Sequence, residues 1–125
     1  MPAQPTHAST AEPAAVITKA VIRAADQLKM SAETLAAIIG VSEVTISRIK
    51  HGGFALEPGT KPFELSVLFV QLFRSLDAIV GADSEAAASW LVSPNTILDA
   101  RPIEKLQTVS GLVDVIAHLN QFQVA

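Results

Sequence analysis

The stretch Thr34-Leu-Ala-Ala-Ile-Ile-Gly-Val-Ser-Glu-Val-Thr-Ile-Ser-Arg-Ile-Lys-His-Gly52 constrains the fold more than any other part of the chain. Two short helices that cross steeply must pack closely. The first therefore needs a small residue, the connection needs a residue that tolerates positive φ, and both need an apolar inner face. Ala36 supplies the small residue, Gly40 the turn and Val41 the corner plug, while Leu35, Ile39, Ile46 and Ile49 form the inner faces. Ser31 and Ser42 stand where a side-chain oxygen caps each helix. The pattern predicts a helix-turn-helix, whose second helix docks in the DNA major groove; a tight helical hairpin without DNA binding shares some of these positions.

With Ile46 and Ile49 turned inward, Glu43, Val44, Thr45, Ser47, Arg48 and Lys50 fall on the outward face of the second helix. Arg48 can grip a guanine edge with two donors, Val44 can touch a thymine methyl, and Glu43 can accept from a cytosine amine. Ser42, Thr45, Lys50 and the free amides of the first turn suit phosphates. Glu43 has an equally good role as a first-turn carboxylate facing the helix dipole.

The rest of the chain reads as helices joined by short loops. Ile17, Val21, Ala24 and Leu28 recur at helical spacing over residues 13–29, with Pro13 near the start. Pro62 opens a long helix through about Val80 that is apolar on nearly every face, so it must be central to the core or shared with another subunit. Further helices are expected from Ser84 to Leu91, from Pro102 to Leu106 and from Thr108 onward. No segment alternates with the period of a strand. The expected fold is all-α, with a helix-turn-helix bundle over 13–60, packed on a second helical unit over 61–125. A disordered tail, rich in Pro, Ala, Ser and Thr, is expected over 1–12.

Charge divides the chain in two. From Val16 to Lys61 six cations (Lys19, Arg23, Lys29, Arg48, Lys50, Lys61) face four carboxylates, whereas from Pro62 on three cations face seven. A net charge of −3 argues against coating nucleic acid by charge alone, so a dimer or larger assembly on repeated half-sites is expected. Half the residues are hydrophobic and only 17% are charged, apolar enough that a partner should cover part of the surface. Glu64, Gln71, Arg74 and Asp77 interrupt the most apolar stretch, which argues against a membrane span. The lack of cysteine fits a reducing compartment, with the cytoplasm as the expected location. His7, His51 and His118 have no second ligand at metal spacing, and no nucleophile or phosphate loop is recognisable. Neither an enzyme, a metal nor a cofactor is expected.

In the back half, Trp90-Leu91, then Pro94-Asn95, then Pro102-Ile103 with Leu106, then Thr108 with Gly111-Leu112 form a series. It resembles the C-terminal toxin-binding domain of the Xre/MbcA/ParS antitoxins, over roughly residues 61–122. The helix-turn-helix ahead of it is the half those antitoxins carry in front. Physically, Thr108 can cap the last helix, Gly111 permits close backbone packing, Asn95 suits satisfying loop amides, and core packing is the expected role of Trp90. The contact surface expected instead is Arg101, the outward face of the last helix, and the tail of Asn120, Gln121, Phe122, Gln123, Val124 and Ala125. The resemblance implies a RES-domain toxin as partner, an enzyme that consumes NAD or transfers its ADP-ribose, neutralised by occlusion of its cofactor cleft. It also implies repression of the chain's own operon through operator DNA. A free-standing helix-turn-helix regulator whose back half only dimerises explains the helix-turn-helix and the apolar helix from Pro62 to Gly81 equally well.

Overall fold

The computed structural model describes the backbone of residues 3–122 and the side chains of 13–122. Seven helices follow in order: α1 (Ala3–Gln27), α2 (Ala32–Ile39), α3 (Glu43–Lys50), α4 (Lys61–Ile79), α5 (Ser84–Val92), α6 (Pro102–Lys105) and α7 (Val109–Asn120). No strand occurs among the described residues; one isolated antiparallel bridge joins Asn95 to Ala100. The fold is all-α, as the sequence predicts.

Local chemistry sets most of the helix ends. The Ser31, Ser42, Thr60 and Thr108 hydroxyls accept from Thr34 N, Thr45 N, Phe63 N and Gly111 N, respectively, so each satisfies an amide left over in a first turn. The start of α5 differs from expectation. Asp83, not Ser84, is its cap, its Oδ1 accepting from both Glu85 N and Ala86 N at 3.1 Å. The start of α1 differs too. The helix begins at Ala3 and carries Pro13 inside it, so it takes in residues whose composition reads as a tail. Proline removes one donor there without ending the helix.

α4 is the axis of the molecule. It packs against α1, α2, α5 and α7. This accounts for its apolar residues on nearly every face: Phe69, Leu72 and Leu76 are wholly buried, while Phe63, Leu65, Leu68, Val70 and Phe73 are half-buried against neighbouring helices. Full burial of each large side chain stabilises the fold by about 1.5–3 kcal/mol. The core is continuous from Val21 of α1 and Leu28 just after it, through Leu35 and Ile39 of α2, to Leu112, Val115 and Leu119 of α7. The loop after α3 is pinned to α1: buried Thr18 Oγ1 accepts from Leu56 N at 2.9 Å and donates to Ala14 O. Among the described residues no single helix is long and apolar enough to cross a membrane; α4 and α5 meet at a bend of 115°.

Candidate functional site

Two surfaces carry the residues the sequence singles out, one at each end of α4. The first is built by α2 and α3. Gly40 ends α2 at φ 78°, donates to Ala36 O at 2.9 Å, and lets Val41 turn into the corner. A Cβ at Gly40 would lie 3.6 Å from Leu65 Cδ1, so it is the backbone angle rather than space that calls for glycine. Ala36 is buried, and Ile46 and Ile49 seat α3 on the core. That seating leaves Glu43, Val44, Ser47, Arg48 and Lys50 exposed and Thr45 half-buried. Val44 is 62% exposed.

Hydrogen bonds sort this face further. Ser42 Oγ and Thr45 Oγ1 bond to each other at 3.1 Å while Ser42 also takes Thr45 N, so both hydroxyls serve the helix cap. His51 Nδ1 lies 2.8 Å from Ser47 O and closes the far end of α3. Among the described residues, Arg48 and Lys50 make no ion pair.

The second surface lies beyond the middle of α4. A groove of about 480 Å³ opens between the end of α4, α5, the loop after α5 and the end of α7. Its walls include Ile79, Trp90, Ile97, His118, Leu119 and Phe122. Trp90 and His118 stack with ring centroids 6.2 Å apart, and Phe122 meets His118 edge-on at 5.2 Å. The rim is apolar and open: Ile97 is 77% exposed and Phe122 61%. Trp90 therefore does more than fill the core, as its expected role would have it. It is half-buried because His118, itself buried on α7, covers one face and leaves the rest to the groove. Nothing in the spacing of His118 signals this, since its partner in the stack is 28 positions away in the sequence.

The remaining motif residues shape this surface. Asn95 Oδ1 accepts from Ile97 N and Leu98 N at 3.0 Å, folding the loop that carries Ile97. Pro102 is buried at the start of α6, and Thr108 caps α7. Gly111 sits against the end of α6; a Cβ there would lie 2.8 Å from both Lys105 C and Thr108 Oγ1, and closer still to Lys105 O. Of the expected contact residues, Arg101 is held by Glu104, its Nε and Nη2 donating to Oε2 at 3.0 and 2.8 Å. That bond, and the guanidinium charge, hold the Glu104 carboxyl below its ordinary range. Asn120 Oδ1 accepts from Ser75 on α4 at 3.1 Å, and Gln121 is exposed. Gln123, Val124 and Ala125 lie outside the described residues. Among the described residues no cluster of three or more His, Asp or Glu side chains comes together as metal ligands would.

Residues 7–71 match the antitoxin Xre-like helix-turn-helix domain, and residues 75–123 match the antitoxin Xre/MbcA/ParS C-terminal toxin-binding domain. The two matches meet inside α4, and every lining residue of the groove falls in the second. No curated protein matches the chain. With one match covering its front half and the other its back half, the chain belongs to the Xre-like helix-turn-helix antitoxins that carry an Xre/MbcA/ParS toxin-binding domain.

Proposed function

We propose that the chain neutralises a RES-domain toxin, one that consumes NAD or transfers its ADP-ribose, by covering the toxin's active site, and that it represses its own operon through α3. The observation that supports the first part most directly is the open aromatic groove within the toxin-binding domain. Exposed Ile97 and Phe122 with half-buried Trp90 form the kind of apolar centre that dominates protein interfaces. The groove extends the expected contact residues, since Phe122 belongs to both. The acidic back half favours docking beside a basic nucleotide cleft and speeds encounter with it. The helix-turn-helix then binds operator DNA as a dimer on paired half-sites in the cytoplasm, where a single copy offers too few cations.

Co-expression tests the reading. A RES-domain toxin encoded beside this gene should stop growth alone, be silenced by the chain and co-purify with it. Ile97→Asp places a charge on an exposed position and should weaken the complex at least tenfold without lowering Tm. A toxin that kills equally with and without the chain, and does not co-purify, refutes the antitoxin assignment and leaves a regulator. An Ile97→Asp chain that neutralises as well as the parent refutes the groove as the docking surface.

A further inference from the structure

We infer that α3 reads a half-site in which a thymine and a guanine are separated by one base pair, the thymine methyl meeting Val44 and the guanine edge meeting Arg48. The inference rests on the DNA-binding reading above and goes beyond it by fixing two bases and their spacing. Val44 and Arg48 are four residues apart on α3, hence on one face, about 6 Å apart along the axis at about 1.5 Å per residue. Stacked base pairs repeat at about 3.4 Å, so two steps match that separation for a helix lying along the groove.

The chemistry of each position follows from what surrounds it. Val44 is apolar, β-branched and 62% exposed, and the apolar feature of the major groove is the C5-methyl of thymine. The Arg48 guanidinium is on an exposed residue and makes no hydrogen bond or ion pair among the described residues, whereas that of Arg101 is held by Glu104. Its planar fork is therefore open to O6 and N7 of guanine. Ser47 lies beside them on the same face, and its short hydroxyl both donates and accepts, so it leaves the intervening pair unrestricted.

The test uses the full chain and a pool of randomised duplexes. Enriched sites should carry thymine and guanine with one pair between them. In an enriched duplex, replacing that thymine by deoxyuridine removes only the methyl and should weaken binding about fourfold. Replacing the guanine by 7-deazaguanine removes N7 and should weaken binding about tenfold. Val44→Ala should lose sensitivity to the first replacement and keep it for the second, and Arg48→Ala the reverse. Measurement at low salt keeps the weakened complexes within range through phosphate contacts. Both side chains are exposed, so equal Tm values establish that the variants fold. Enriched sites without this pair of bases, or a variant still sensitive to its own base, overturn the inference while DNA binding stands. A chain that enriches no sequence at all overturns the DNA-binding reading, and the half-site with it.

Discussion

Replacing Gly111 by alanine sets two ordinary effects against each other, and the structure decides which wins. Inside a helix, alanine is favoured over glycine by about 1 kcal/mol. Here the added methyl would fall 2.8 Å from Lys105 C and Thr108 Oγ1, and nearer still to the Lys105 carbonyl oxygen. Two of those three atoms are backbone at the end of α6, so no rotamer change relieves the overlap. Forcing a methyl into a filled site costs about 3 kcal/mol at the upper end of the usual range. Moving Thr108 also loosens the bond it accepts from Gly111 N at 3.0 Å, costing about 1 kcal/mol more. The net loss is about 3 kcal/mol. For a chain of this size each kcal/mol shifts Tm by about 4 °C, so Gly111→Ala should melt about 12 °C lower by circular dichroism. Gly52→Ala is the control: among the described residues nothing lies within 4 Å of its Cβ position, and only its φ of 79° opposes the change, for about 1 kcal/mol and about 4 °C. If Gly111→Ala melts at or above the parent temperature, the α6–α7 junction is not held by backbone contact and the reasoning fails.

Ser66 Oγ on α4 is buried with no hydrogen-bond partner among the described residues, so Ser66→Ala should raise the urea midpoint, corresponding to about 1 kcal/mol; a lower midpoint would mean that the hydroxyl has a partner. The Glu104 carboxyl, held down by the Arg101 hydrogen bond and charge, should titrate below exposed glutamates in an NMR pH series and return to their range in Arg101→Ala. Because its folded-state pKa is depressed, that pair contributes stability above the ordinary glutamate range and loses it as the pH falls through the folded value. A Glu104 midpoint unchanged by Arg101→Ala refutes the assignment of cause.

The helices were legible because their signals are local. Caps at Ser31, Ser42 and Thr108, the turn at Gly40, and prolines at the starts of α4 and α6 act within one turn, so a linear reading finds them. The surface of α3 followed from the same periodicity once Ile46 and Ile49 were turned inward. The aromatic groove was not legible. It depends on Trp90 and His118 arriving face to face from α5 and α7, a tertiary event with no trace in the spacing of either residue. Arg101, expected on the contact surface, also pairs with Glu104 three residues later, a spacing a linear reading can find.

α4 runs unbroken through the point where the two family matches meet. The helix-turn-helix and the aromatic groove are thus keyed to one shaft, and their relative azimuth is written in its length. One residue inserted near Phe73 would advance the back half by about 1.5 Å and rotate it by about 100° about the helix axis. A different C-terminal domain can be grafted behind this helix-turn-helix only by exchanges that preserve helical phase. A cut placed at the boundary between the matches would split a helix whose two ends stabilise different halves of the core.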